Sequence, residues 1–437
     1  MFRFSLLLGL FVVLFSTVSA QSNWQTLANA PNFIGPFSKL DDVHFIDLQT
    51  GWTINSLGTV FKTEDSGQNW TEQTNLGEFI RCVRFADENV GYIGSLQGNF
   101  GGGNSVSRLF KTIDGGDTWT DLTDLISPAP IGICGLSVVD AQNVYGVGAY
   151  YQPARMYKTS DGGASWTNID MSAHAASLVD VHFFTPDTGF VVGLSSSLGQ
   201  GGVVLKTTNG GLDWEAVHET MVNSDLIWKI QALDRQHLYA AIAGVSLDFG
   251  GRILVSEDGG ESWISKQVDV GDVHLQGVGF ISPTHGFAGG FFNGLYETTD
   301  GGDSWTLKNI GANYNRFQKL NDTLMVASGH SIYRYTNDEL TAVAEVEKQL
   351  KPPYEMTIHP MPLQQEINIE YRLDNATHLD LSLYDSKGKK VLNFHNGWHA
   401  SGIFNIRKPL ENIPAGFYVV AFLSREGDVI QKVVIQP

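Results

Sequence analysis

The sequence predicts an all-β protein: a seven-bladed β-propeller followed by a small immunoglobulin-like β-sandwich. Three observations carry this. A turn phrase of eight residues recurs six times, at Thr63–Trp70, Thr112–Trp119, Thr159–Trp166, Thr207–Trp214, Ser256–Trp263 and Thr298–Trp305. Its third positions lie 49, 47, 48, 49 and 42 residues apart, the period of one four-stranded blade. Beyond Asp338 the phrase stops, and short strands without that period take over.

From the N-terminus, residues 1–20 have the three parts of a secretory signal. Arg3 supplies the charge, Phe4–Phe15 is almost wholly apolar, and Val18-Ser19-Ala20 is a small-residue cleavage site. The expected mature chain begins at Gln21. The apolar run is short for a membrane span and no later stretch is longer, so no transmembrane segment is expected.

Each phrase is preceded by a second motif, an apolar-x-apolar strand followed by a Gly-aromatic step. It reads Val43-His44-Phe45 to Gly51-Trp52 in the first repeat and Val278-Gly279-Phe280 to Gly286-Phe287 in the sixth. A seventh copy starts at Phe317, passes Leu324-Met325-Val326 and Ile332–Tyr335, and ends at Asp338 without a Trp. The missing Trp-led strand stands at the other end of the chain, as Asn23-Trp24-Gln25-Thr26-Leu27. The expectation is that it completes the seventh blade and closes the ring, removing an open sheet edge.

Within the phrase, Asp65, Asp114, Asp161, Asn209, Asp258 and Asp300 suit a tight turn, where the side chain bonds nearby backbone N–H groups. The following Gly takes the positive φ, and Trp70, Trp119, Trp166, Trp214, Trp263 and Trp305 bury a ring beside it. One carboxylate per turn is too few for calcium, which needs six to eight oxygens. The 12 His are scattered and the two Cys have no zinc spacing, so no metal and no cofactor is expected.

These residues reproduce the Asp-box, or bacterial neuraminidase repeat, Ser/Thr-x-Asp-x-Gly-x-x-Trp. The repeat resembles those of sialidases, some large glucan hydrolases, sortilin-type receptors and photosystem II assembly-factor propellers, and the resemblance covers roughly residues 21 to 336 of the expected propeller, 21–338. The resemblance implies boxes between the third and fourth strands, away from the ligand face. It does not choose between enzyme, receptor and assembly factor.

Residues 339–353 read as a linker ending in two prolines. Residues 354–437 resemble the C-terminal sorting domain of the Bacteroidota type IX secretion system. The carrying residues are Ile358–Pro362, Leu383–Gly388, Ile413–Tyr418 and Gln431–Val434, although His359 and Met361 depart from the usual Tyr-Pro-Asn-Pro. That resemblance implies the secretion machinery as a partner, and export to the cell surface or medium. A carbohydrate-binding or adhesive sandwich is the alternative.

The formal charge of −18 argues against nucleic acid or anionic lipid as partner. Cys82 and Cys134 fall on neighbouring innermost strands but one residue out of step. A disulfide and two buried thiols both stay open.

With the boxes on one face, the expected ligand mouth lies opposite, at the starts of the innermost strands. Its candidate residues are Asp42, Arg81, Arg84, Asp180, His182, Trp228, Lys229, His274, Tyr314 and Arg316. Gly-rich insertions at Gly98–Asn104, Leu198–Gly202 and Asp248–Gly251 should border it. The arginines suit a carboxylate, and Trp228 and Tyr314 suit stacking on a sugar or peptide ring. The sialidase arrangement needs an arginine ahead of the first box, and none stands between Arg3 and Arg81. No catalytic residue is therefore carried over. The expected function is a non-catalytic binding propeller for a protein or glycan, and the alternative is a glycoside hydrolase using Asp42 and Asp180.

Overall fold

In the propeller region the computed structural model describes residues 23–33, 39–96, 107–148, 153–244, 250–269, 274–290, 294–308 and 310–337. Towards the C-terminus it describes 356–361, 366–373, 377–385, 389–410, 413–414, 416–424 and 429–435. The leader, the Gly98–Asn104 insertion, residues 248 and 249, the linker and parts of the sorting-domain motifs lie outside them. Gln21–Asn337 forms one compact unit, and Asp338–Pro437 belongs to another.

Among the described residues of the first unit are seven four-stranded antiparallel sheets, one per repeat. The innermost strands of blades 1 to 7 are Leu40–Phe45, Ile80–Phe85, Gly135–Val138, Ala175–Phe183, Ile227–Ala232, Leu275–Phe280 and Arg316–Lys319. Asn23–Thr26 pairs with Ile332–Thr336 in the register Trp24 to Tyr335, so the N-terminal strand is the outer strand of blade 7. Its indole packs edge-on against Phe287 and Phe317, at ring-centre distances of 5.0 and 5.9 Å. This buried ring ties the Asn23–Thr26 strand to blades 6 and 7.

The Gly-aromatic step has a steric cause. Gly51, Gly91, Gly189 and Gly286 each oppose the last Phe of the innermost strand, and a Cβ there would meet that ring at 2.5–2.6 Å. Where the innermost strand ends in a smaller residue, the glycine is replaced. Val138 faces Val144, and Ala232 faces Leu238, keeping the pair volume near constant. The aromatic next in line reaches the following blade: Trp52 stacks on Phe85 at 3.5 Å, and Tyr145 on Phe183 at 3.7 Å.

The boxes close their hairpins as the residues imply. In the second, Gly116 N–H donates to Thr112 Oγ1 at 2.9 Å, and Asp114 accepts from Thr118 N–H at 2.9 Å. Gly115 and Gly116 have φ of 72° and 97°, a region that a side chain would strain. The box also receives the preceding blade. Trp52 Nε1 donates to Gly115 O, Tyr92 Oη and Lys111 Nζ to Gly162 O, and Lys158 Nζ to Gly210 O, at 2.7–2.9 Å.

In the second unit, Met356–Met361, Glu366–Leu373 and Gly402–Pro409 form a three-stranded sheet. A four-stranded sheet holds Thr377–Asp385, Lys390–His399, Gly416–Ser424 and Val429–Ile435. Ile367 and Ile369 from one sheet, and Leu381, Val420 and Phe422 from the other, share a buried core, which makes the unit a β-sandwich. Among the described residues no helix is long and apolar enough to cross a membrane, which says nothing of strands.

Candidate axial site

Only one side of an innermost strand faces the channel, so a regular strand would offer every second residue to it. Five innermost strands break this rule at a common level, and Ala175–Phe183 has a second shift between Ala175 and Ser177. Register shifts fall between Leu40 and Asp42, Ile80 and Cys82, Leu178 and Asp180, Ile227 and Lys229, and Leu275 and Gly277. A bulge inserts one extra residue and re-aims its side chain. Consecutive residues such as Asp41 and Asp42 thereby both reach other blades.

What they reach is a buried charge network. Asp41 is ion-paired with Arg81, and Asp42 Oδ2 accepts from Arg84 at 2.7 Å. Arg316 of blade 7 gives Nε to Asp42 Oδ1 at 3.0 Å and both terminal nitrogens to Asp180 at 2.9 Å. One guanidinium therefore ties blades 7, 1 and 4 together across the axis. Lys229 Nζ of blade 5 lies 4.0 Å from Asp180 Oδ1, and Lys39 Nζ donates to Gln276 of blade 6 at 2.5 Å. Asp42 and Asp180 have no exposed surface.

The electrostatics follow from burial set against pairing. Burial alone would raise the Asp42 and Asp180 carboxyls. Arg84 and Arg316 overcome this at Asp42, Arg316 and Lys229 at Asp180, and both end below the usual carboxylate range. At Asp41 burial wins over Arg81, and its carboxyl is raised. Burial pulls the lysines down, to about 7 for Lys39 and about 8 for Lys229, whose neighbour Asp180 opposes the fall.

Farther along the channel, the next inward positions of blades 1, 3, 5 and 7 join each of these blades to its successor. His44 Nδ1 accepts the N–H of Phe85 at 3.2 Å, and Ser137 Oγ accepts that of Phe183 at 2.9 Å. Gln231 and Gln318 each clasp both backbone groups of a Phe in the next blade, Phe280 and Phe45. Here the channel opens into a cavity of about 290 Å³, whose polar lining is His44, Arg84, His182, Gln231, Arg316, Gln318 and Lys319. Among the described residues no carboxylate lines it.

Seven of the ten candidates meet in the network: Asp42, Arg81, Arg84, Asp180, Trp228, Lys229 and Arg316. Arg81 lies over the Trp228 ring at 5.5 Å and near the Phe79 ring at 5.9 Å, so the ring expected to stack on a ligand holds a guanidinium. His182 lines the cavity, and His274 does not. Tyr314 corrects the stacking expectation. It is fully buried, stacked on Phe317 at 5.5 Å with its hydroxyl donating to Ile310 O, and has no face free for a ligand.

The cavity's position also differs from the expected mouth. Its lining comes from the ends of the innermost strands, beside turns that bond the boxes, as Ser66 N–H does to Gln49 O. The starts of those strands are filled by Arg81, Phe79 and Trp228. Sequence reading missed Lys39, Asp41, His44, Gln231, Gln276, Gln318 and Lys319. For His44, Gln231 and Gln318 a polar residue at the inward position of its strand was the available signal; the bulged Asp41 and Gln276 carried none. Among the described residues Cys82 and Cys134 are buried free thiols.

Residues 17–169 match the family described as photosynthesis system II assembly factor YCF48, and residues 357–436 match the secretion system C-terminal sorting domain. The chain thus carries an Asp-box propeller, part of which resembles the YCF48 family, and a C-terminal segment that matches the secretion-sorting domain. A solved YCF48 bound to D1 peptide is 19% identical, covering 72% of this chain and 95% of its own, with a TM-score of 0.54. YCF48 from Cyanidioschyzon merolae is 18% identical over 72% of this chain and 98% of its own, at 0.53. The GH74 xyloglucanase from Xanthomonas campestris is 14% identical over 95% of this chain and 70% of its own, at 0.54. These identities speak for the fold alone. No curated protein matches the chain in sequence.

Proposed function

We propose that this chain is an exported binding propeller that recognises a partner without turning it over. The observation that carries the reading is the state of the axial carboxylates. Hydrolysis of a glycoside by the usual route needs two carboxyl groups facing the scissile bond, one of them free to exchange a proton. Asp42 and Asp180 are fully buried and bonded to Arg316, and both are held below the usual carboxylate range. The cavity beside them offers donors and cations.

A partner of protein type has the support of the YCF48 likeness, since one such propeller is described as bound to a peptide. Delivery to the cell surface or medium, by way of the type IX machinery, has the support of the sorting-domain match at 357–436 and of the signal-like residues 1–20. The domain division 1–20, 21–338, 339–353 and 354–437 belongs to the same reading.

The test is an assay of the purified chain against sialosides and xyloglucan, beside a peptide and glycan array. The expected result is saturable binding on the array with no release of sugar. Release of sugar that disappears in Asp42→Asn or Asp180→Asn would establish the hydrolase reading instead.

A further inference from the structure

We infer that the cavity at the Asp-box end of the channel is a carboxylate site, taking the acidic group of a peptide or a free small acid. The inference rests on the binding reading above and names the chemistry that the axis would recognise.

The first argument is charge. The cavity is lined by Arg84, Arg316, Lys319, His44 and His182 and, among the described residues, by no carboxylate. Arg84 and Arg316 are set against Asp42 and Asp180 in the network beside it. The chain as a whole is at −18, so this basic lining runs against its overall charge. An anion in the cavity would meet cations and donors rather than like charge.

The second argument is donor geometry. His44 Nδ1 accepts the Phe85 N–H, so the neutral ring must carry its proton on Nε2 and acts as a donor there. His182 Nε2 is buried with no partner, although its neighbours at this level, Ser137 and Gln231, each bond the next blade. Arg84 uses only Nη1, towards Asp42 and Val83 O, in the contacts it makes. Lys319 stands at the rim, paired with the exposed Asp322.

The third argument is size. About 290 Å³ admits a group the size of one acidic residue. A singly charged planar carboxylate fits one guanidinium edge and neutral imidazole donors better than a doubly charged phosphate, which asks for more cations.

Titration calorimetry of the purified chain, at fixed ionic strength, tests this with glutarate, its neutral analogue glutaramide, and an acetylated, amidated peptide with one internal Glu. The acids are expected to bind saturably and glutaramide not to. Arg84→Gln should weaken the acids at least tenfold, and Lys319→Gln a few-fold. Tighter binding of the peptide than of glutarate assigns the site to a peptide side chain; equal or weaker binding assigns it to a small acid. Absence of acid binding, equal binding of glutaramide, or an affinity unmoved by Arg84→Gln overturns the inference. If Arg84→Gln does not fold, Lys319→Gln decides in the same way, unchanged affinity overturning it. Release of sugar by the chain would sink the binding reading without altering this titration. Failure of the acids to bind leaves partner binding elsewhere on the ring intact.

Discussion

At the rim of the propeller the first hydroxyl of every box accepts the N–H of the fifth residue at 2.9 Å, six times over. At the axis the side chains change from blade to blade, except that blades 1 and 4 share Asp-Val-His-Phe at 42–45 and 180–183. The level that holds Asp42 holds Cys82, Gly135, Asp180, Lys229, Gly277 and Arg316 in the other blades. Rim bonds span four residues of chain, whereas Arg316 reaches Asp180 over 136 and Asp42 over 274. Repetition therefore makes the hairpins, each for itself, and departure from repetition joins the blades and furnishes the site. Loss of one rim bond leaves five copies untouched; loss of one axial group has no substitute.

The contrast is broken most severely at Arg316. Arg316→Met removes the one side chain that, among the described residues, bonds both Asp42 and Asp180, and takes a counter-charge from two buried carboxylates. Breaking a buried pair from one side costs about 3–5 kcal/mol. Urea unfolding should show that loss, and Asp180→Asn in the same chain should recover part of it. A loss below about 1 kcal/mol would mean that the axis contributes no more than a rim bond.

Acid separates the two regions by pH. Burial, with Arg84 and Arg316 nearby, lowers His44 to about 3 and His182 to about 4, against an ordinary 6.5, while Asp42 and Asp180 pull the other way. Between those values the unfolded chain binds the proton and the folded chain does not, so stability falls as pH drops from 6.5 towards 4. Each imidazole contributes about 1–3 kcal/mol over that window. His218 and His330, also lowered by burial, add to the slope. Bonds from Thr118, Ser165, Ser262 and Ser304 hold the box carboxyls of Asp114, Asp161, Asp258 and Asp300 at about 2. Their stabilisation is lost only below the ordinary carboxylate range. Urea melts at pH 6.5, 5 and 4 should therefore show a decline that His182→Gln flattens. A flat profile down to pH 4 would place no neutral imidazole at the axis.

The same division explains what the sequence made legible. The boxes and the Gly-aromatic steps are local signals whose partners stand a few residues away. The Trp24 strand, though it pairs with Ile332–Thr336, repeats the Trp-led strand that the seventh copy lacks. Together they disclosed the ring and its closure. The site depends on bulges, and a bulge leaves little mark in a single strand's alternation. Asp41 therefore reads as an outward residue next to an inward Asp42, although the two reach different arginines. The pairing of Asp180 with a residue 136 positions later has no local trace, so residue types placed the candidates but not their partners. Tyr314 shows the opposite failure. An aromatic beside the channel reads as a platform, and its burial depends on Phe317 and Tyr333 packing around it.

The smallest effect is the sharpest test of equivalence among the blades. Thr112→Val keeps the shape of a buried strand end but deletes the oxygen that accepts from Gly116 N–H and donates to Asp114 Oδ1. The stranded Gly116 N–H should cost about 1–2 kcal/mol, the usual penalty for a buried donor left unpaired. Thr63→Val, Thr159→Val, Thr207→Val and Thr298→Val remove bonds of the same length, so their costs should agree within about 0.5 kcal/mol, the margin at which distant sites add independently. At the fourth position of the box blade 1 departs, with Ser66 at φ 64° where blades 2 to 6 have Gly, and at the third position blade 4 has Asn209 in place of Asp. A cost in blade 1 well outside the common value would show that the turn, rather than the hydroxyl, limits the hairpin there. Agreement across all five would confirm that each box acts for its own blade alone, which is the premise on which the rim differs from the axis.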